Sequence, residues 1–402
     1  MTQGYRNKIE FSFGVYKQQS EEYRERQKQQ TVIARRNDEA KQIDKEWIAS
    51  QASNDIPLSK YIIDNQRGCG FHKQGEFSKI VDVESCGLIS QKANQIFETI
   101  KKLCFESGLP VYDQKTHQGF FRHLVLREGV NTGQLMVNLS ICLANLDKVQ
   151  TKAREALLET FKNDLDLKEQ ISTFVITYNE GLADTVKNEK SETKTFRGDG
   201  FIHEKLLFDE GEVTFRISPF SFFQTNTLGA QKLFGTAFKM LGNVEGNILD
   251  LYCGAGSIGL SLLRLNEQQG KAQELIGIEI VEDAIVDARD NAKINRLEEQ
   301  SFFVASPAEK ALEKFPELAE KIKNLGVVVI DPPRDGLHKN VIDRIANLKK
   351  KSDFKLLYIS CNPVTMARDV EFFLEKGFNM KEVQPVDMFP MTQHCECIGV
   401  FS

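Results

Sequence analysis

From Leu228 to the C-terminus, apolar runs of strand length and amphipathic segments of helix length alternate almost strictly. That alternation confines the stretch to an open, mainly parallel α/β sheet. The spacing predicts helices over Leu228–Leu241, Ile258–Leu265, Asp283–Asn295, Asn340–Asn347 and Val364–Glu375. It predicts strands at Asn247–Leu251, Leu275–Glu279, Phe302–Val304, Val327–Ile330 and Lys355–Ile359, with Met380–Val386 and Cys395–Phe401 as a closing hairpin. This is a doubly wound, Rossmann-like sheet, and such sheets collect their ligands beyond the carboxyl ends of the strands. Chemistry-bearing residues are therefore to be sought at strand ends.

Ahead of residue 220 the pattern changes to α+β. Strands are expected at Arg6–Phe13, Phe77–Val83, Gly119–Glu128, Gln134–Ser140, Gln170–Tyr178 and Glu212–Ile217, and helices at Ser90–Ser107 and Leu146–Asn163. Two domains are expected, 1–219 and 220–402. The segment Tyr16–Ser59 mixes Lys, Arg, Glu and Gln and reads as an insertion, a solvated helix or an excursion from the core. Gly181–Asp199 is polar and reads as a loop or loose hairpin.

Composition narrows the class further. With 41% apolar and 27% charged residues in 402, the chain reads as a soluble, cytoplasmic protein. No apolar run reaches the roughly 20 residues that span a bilayer, and the start lacks the apolar core of a signal peptide. A monomer is expected. The eight cysteines lack paired CxxC spacing, so reduced thiols and no metal are expected. Cys395 and Cys397 share a strand face and read as two small buried residues. A net charge of −5 neither favours nor excludes nucleic acid, because a local basic surface is masked in the sum.

Four strand ends carry chemistry. Asp250-Leu251-Tyr252-Cys253-Gly254-Ala255-Gly256 is a glycine-rich turn into a helix, of the kind that lets a nucleotide approach backbone. Glu279 closes the next strand, where a carboxylate takes ribose hydroxyls. These two alone would suit NAD as well. Asp331-Pro332-Pro333-Arg334 separates the readings: two prolines stiffen a turn that presents a carboxylate and a planar guanidinium to a flat polar base, as S-adenosylmethionine-dependent methyltransferases do. Cys361, in Ser360-Cys361-Asn362-Pro363, places a thiol at the end of a buried strand. To become a thiolate it needs a positive neighbour, for which Arg334, Arg368 and the helix beginning near Val364 are candidates. Glu396 interrupts an apolar run, and burial there would raise its pKa towards that of a useful base. His394 beside it suits an orienting donor. Phe220, Phe222 and Phe223 offer stacking surfaces for bases, with part of the cluster expected in the core.

Taken together, these motifs resemble the RNA uracil-5-methyltransferase family, which makes 5-methyluridine in tRNA and rRNA. The resemblance rests on Ser221-Phe222-Phe223-Gln224-Thr225-Asn226, Asp250 to Gly256, Gly277-Ile278-Glu279, Asp331 to Gly336, Tyr358 to Pro363 with Thr365, and Phe389-Pro390 with His394 and Glu396. More loosely, Gly4-Tyr5-Arg6-Asn7-Lys8 and Ile80 to Cys86 look like the family's substrate-side domain.

The resemblance implies that Cys361 is the nucleophile and Glu396 the proton acceptor, with Arg334 against the base. It implies that Gln224, Tyr252, Ser257, Glu279 and Asp331 hold S-adenosylmethionine, and that RNA is the partner. On this resemblance no counterpart of the family's frequent RNA-binding barrel is expected within these residues. Of the four cysteines of its iron–sulfur cluster only Cys86 has a match, so the cluster is not carried over. Met391 and Cys395 replace the residues usual in the terminal motif. A tRNA T-loop uridine is favoured over a 23S rRNA uridine, and a non-catalytic RNA-folding protein on the same scaffold is the alternative from another class. Methylation of a base amino group typically uses an aromatic residue after the two prolines, where this chain has Arg334.

Overall fold

The computed structural model describes residues 3–19, 62–144, 146–311, 315 and 318–402. Strands β1 (Lys8–Gln19), β2 (Ile62–Lys73), β3 (Glu76–Asp82), β4 (Phe121–Glu128), β5 (Leu135–Ile141), β6 (Thr173–Tyr178) and β7 (Glu192–Arg197) form one sheet. Its order is β3-β2-β1-β4-β5-β6-β7, and β5–β6 is its parallel pair. Helices α1 (Gln91–Glu106), α2 (Lys148–Asn163) and α3 (Leu165–Gln170) cover one face. There Phe97, Ile100 and Phe161 pack on Phe11, Phe13, Leu124 and Leu139.

This half departs from expectation in several places. Strand β1 runs to Gln19, so the first residues of the charged segment extend a strand; the remainder of Tyr16–Ser59 lies outside the described residues. Strand β2 carries no alternating apolar signal, because its buried centre is Gly68-Cys69-Gly70. Strand β7 closes a sheet edge with Glu192, Lys194 and Arg197, charges that protect an edge and make it look like loop in sequence.

A hairpin, β8 (Ile202–Phe208) and β9 (Gly211–Ile217), follows. Although it precedes residue 220, its apolar side (Ile202, Leu206, Val213, Phe215) joins the core of the C-terminal half. That half contains α4 (Thr227–Leu241), β10 (Asn247–Leu251), α5 (Ser257–Gln268), β11 (Leu275–Glu279), α6 (Glu282–Ile294), β12 (Ser301–Ala305) and β13 (Leu325–Ile330). It ends with α7 (Lys339–Lys349), β14 (Lys355–Ser360), α8 (Pro363–Glu375), β15 (Met380–Val386) and β16 (Glu396–Phe401).

The strand order is β12-β11-β10-β13-β14-β16-β15, parallel up to β14, with β16 antiparallel to both its neighbours. Successive strand residues alternate between two cores: Ile248, Val327, Val329 and Leu357 face one side, and Leu249, Val328, Ile330 and Leu356 the other. Burial on both faces is why these strands read as unbroken apolar runs. The order reverses between β10 and β13, the switch point at which such sheets open a crevice. Cys395 lies just outside β16, and both it and Cys397 are half-buried rather than buried. Among the described residues no helix is long and apolar enough to cross a membrane.

Buried polar side chains join the halves. Asn7 donates its side-chain N–H groups to the Gln224 carbonyl (3.0 Å) and to Thr227 Oγ1 (2.7 Å), while its backbone N–H reaches the Thr225 carbonyl (2.8 Å). Arg127, buried on β4, donates to the carbonyls of Ser218 (2.6 Å) and Ser221 (2.7 Å). Glu204, wholly buried on β8, accepts from the N–H groups of Val130 (2.7 Å), Asn131 (2.9 Å) and Lys205 (2.9 Å) and from the Thr227 hydroxyl (2.5 Å). Glu204→Ala orphans those donors, each worth about 1–3 kcal/mol when left unsatisfied. A fall in thermal midpoint larger than that of any surface Glu→Ala control is expected in a melting experiment.

Candidate active site

At the carboxyl end of β10 the chain turns through residues of positive φ, Tyr252 (65°), Gly254 (53°) and Gly256 (81°), and enters α5. Gly256 occupies the N-cap without a capping side chain, leaving helix N–H groups open to a ligand. One turn in, a Cβ on Gly259 would stand 2.7 Å from Asp250 Oδ2. Its absence lets the Gly259 N–H donate to that oxygen at 2.9 Å. Asp250 is fully buried, and its Oδ1 has no hydrogen-bond partner among the described residues. Burial pushes its carboxyl up to about 7.

Glu279, at the end of β11, is held by the N–H groups of Gly254 (3.2 Å), Ile280 (2.8 Å) and Val281 (3.0 Å). After β13 the Asp331–Arg334 turn is tied to the neighbouring strand end. Asn362 Nδ2 (3.0 Å) and Thr365 Oγ1 (3.1 Å) both donate to the Arg334 carbonyl. Asn362 also caps α8, whose first residue is Pro363, so one side chain fixes the Cys361 loop and the Arg334 loop together.

Gln224, Tyr252, Ser257, Glu279, Asp331, Arg334, Cys361 and Glu396 all line one cavity of about 1090 Å³. Phe220 and Phe222 are exposed on its wall, whereas Phe223 turns into the core. His394 stands outside the lining and contacts Arg334, Nδ1 to Nη2 at 3.4 Å. Arg368 is committed to Asp369 (2.7 Å) and to the Asp335 carbonyl (3.0 Å), which corrects its candidacy as the partner of Cys361. Cys86 lies buried in the N-terminal core, and among the described residues no group of three or more His, Cys, Asp or Glu could hold a metal.

The electrostatics are those of a crowded acidic pocket with one cation facing the thiol. Burial, then the Glu396 and Asp331 carboxylates, push the half-buried Cys361 thiol up, and Arg334 opposes them. Asp331 is raised well above its ordinary range, first by burial and then by Glu396. Glu396 is 4% exposed. Burial lifts its carboxyl from 4.5 to about 7, against the pull of Arg334.

A carboxyl raised in the folded state stabilises the fold fully below its unfolded pKa of 4.5 and loses that contribution as pH rises through about 7. Glu396→Gln, neutral throughout, is therefore expected to melt above the natural protein at pH values beyond 7. The gap should close below 4.5. Thermal melts at the two extremes check this.

Lys187, Arg216, Asp283 and Asp287 also line the cavity wall, and no motif in the sequence marks them. Asp250 was legible, since it breaks the apolar run Ile248-Leu249-Asp250-Leu251 as Glu396 breaks its own. The others sit in polar loops, exposed helix turns or a half-exposed strand without a local signature.

The cavity has an uncapped helix start and, at the adjoining strand end, the Glu279 carboxylate, features that suit a nucleoside. Comparison with known proteins agrees. The family model described as tRNA (uracil-5-)-methyltransferase matches residues 159–402. An uncharacterized RNA methyltransferase of Caldanaerobacter subterraneus subsp. tengcongensis is 33% identical over 84% of this chain and 69% of its own length. One from Chlorobaculum tepidum is 35% identical over 83% of this chain and 64% of its own. The chain thus spans about two thirds of the length of these relatives. The crystal structure of Pyrococcus abyssi tRNA (uracil-54, C5)-methyltransferase in complex with S-adenosyl-L-homocysteine has a TM-score of 0.69 and 26% identity, covering 100% of this chain and 77% of that one. The fold, the cavity and these matches define an S-adenosylmethionine-dependent RNA methyltransferase. The chain belongs to the tRNA (uracil-5-)-methyltransferase family.

Proposed function

We propose that the protein methylates carbon 5 of a uridine in structured RNA, with a tRNA T-loop uridine as the preferred target. The observation that carries this reading is the convergence of Cys361, Arg334, Asp331 and Glu396 on the cavity that also contains Gln224, Tyr252, Ser257 and Glu279. The latter four and Asp331 would hold S-adenosylmethionine, which supplies an electrophilic methyl group.

Carbon 5 of uracil is a weak nucleophile. The Cys361 thiolate adds to carbon 6, forming a C–S bond and moving the ring's double-bond electrons towards the carbonyl as an enolate. Arg334 favours the thiolate, and its guanidinium stabilises the charge that develops on oxygen, while Asp331 stands beside it at the base edge. Once carbon 5 carries the methyl group, Glu396 takes its proton, the double bond re-forms and the C–S bond breaks, returning Cys361. A carboxyl poised near 7 suits that step, because it is substantially ionised at neutral pH yet basic enough to accept a proton. A base in folded RNA must leave its stack to enter such a pocket, which is least costly in a loop. The tRNA specificity named for the Pyrococcus abyssi protein supports the T-loop preference.

The test is transfer of labelled methyl groups to in-vitro-transcribed tRNA and to 23S rRNA fragments, followed by mapping of 5-methyluridine. Product at one tRNA loop uridine is expected. Product confined to rRNA would reverse the preference, and RNA binding without any transfer would favour a non-catalytic scaffold.

A further inference from the structure

The arm between β6 and β7, residues 179–191, folds over the sheet face that α1–α3 leave uncovered. Arg122, 1% exposed, donates to the carbonyls of Asn179 (3.1 Å), Gly181 and Ala183 (2.5 Å) and lies 4.1 Å from the Tyr112 ring centre. From inside the arm, the buried Asn179 donates to the carbonyls of Thr185 (2.6 Å) and Val186 (3.3 Å). Ser140 on β5 donates to the same Val186 carbonyl at 3.0 Å, and Asp184 pairs with His72 on β2 at 2.6 Å. These bonds tie the arm's backbone to the sheet at several points. What it presents is Lys187, whose ammonium stands 4.9 Å from the Phe220 ring centre and 3.7 Å from the Asp283 carboxylate, on the wall of the catalytic cavity.

The other cations of that wall are engaged. Arg216 is bound to Asp287 at 2.8 Å and lies over Phe201, and Arg334 faces the Cys361 end. The Lys187–Asp283 pair is solvent-exposed, and exposed pairs of this kind hold weakly, so a stronger anion displaces Asp283 readily. The adenosine part of S-adenosylmethionine brings no anion to the Glu279 end of the cavity, whereas RNA brings a phosphate at every nucleotide. We propose that Lys187 is a substrate-positioning residue that takes an RNA backbone phosphate on the Phe220 side of the cavity. The proposal rests on the functional reading above.

The full chain and its Lys187→Met and Lys187→Arg variants are titrated with labelled in-vitro-transcribed tRNA across a KCl series, and methylation kinetics are measured in parallel. For Lys187→Met, Kd and KM for tRNA should rise about 5- to 10-fold at low salt, with kcat at saturating tRNA and affinity for S-adenosylmethionine unchanged. The slope of log affinity against log salt should become shallower by about 0.7–0.9, the signature of one lost phosphate contact. Lys187→Arg should restore the slope. An active natural protein whose Lys187→Met variant keeps the same tRNA affinity and slope overturns the assignment alone. Weakened S-adenosylmethionine binding at unchanged tRNA affinity overturns it in favour of a cofactor contact. A natural chain that neither binds nor methylates RNA overturns the functional reading and Lys187's role with it.

Discussion

Cys361→Ala is expected to lower methyl transfer by about 10⁴-fold or more, some 5 kcal/mol of transition-state stabilisation, because among the described residues of the cavity wall the other thiol, Cys253, is buried at the end of β10 whereas Cys361 is half-buried and faces Arg334. RNA substituted with 5-fluorouridine separates this role from a structural one. Fluorine replaces the proton that Glu396 would remove, so the natural enzyme should stay covalently joined to RNA through a denaturing gel. The Cys361→Ala variant should give no such band while still binding RNA and S-adenosylmethionine. An adduct that survives the substitution would transfer the nucleophile's role to another residue. The half-buried position of the thiol makes the alanine variant a mild packing change, so loss of fold is not the expected cause of inactivity.

Glu396→Gln should produce the complementary phenotype. The amide keeps the shape of the buried side chain but cannot accept the carbon-5 proton, so attack and methylation proceed and release stalls. Turnover should fall by about 10²- to 10⁴-fold, while ordinary uridine RNA, without fluorine, accumulates as a denaturation-resistant methylated adduct. Release at the natural rate would assign proton removal elsewhere. Because Glu396 must be ionised to act, and Cys361 must be a thiolate, both titrations point the same way. The rate should climb as pH passes through 7 and continue to rise, without a matching fall from these two groups.

The C-terminal sheet was legible because its strands are buried on both faces, so Val327–Ile330 and Leu356–Ile359 could only be read as interior strands. Strand ends follow from topology, and Glu279, Asp331 and Cys361, each at or just after one, line a single crevice. Glu396 was legible as a carboxylate set in an apolar run. Lys187 and Arg216 were not, since Lys187 reaches the cavity from an arm of the N-terminal half and Arg216 sits in a half-exposed hairpin strand. Their polar surroundings look like any solvated loop until the tertiary fold brings them in. Arg122 shows the same limit from inside: a buried guanidinium that organises an arm leaves the same letter in the sequence as a surface charge.

The Gln224 loop is fastened from the N-terminal half by Asn7 and Arg127, through backbone carbonyls that remain whatever side chains the loop carries. The two halves are therefore not independent cassettes. A chimera that exchanges the N-terminal half must import an asparagine and an arginine at these positions, or the Gln224 loop loses its anchorage. A substitution at Asn7 or Arg127 should therefore be felt at the Gln224 loop even though neither residue lines the cavity.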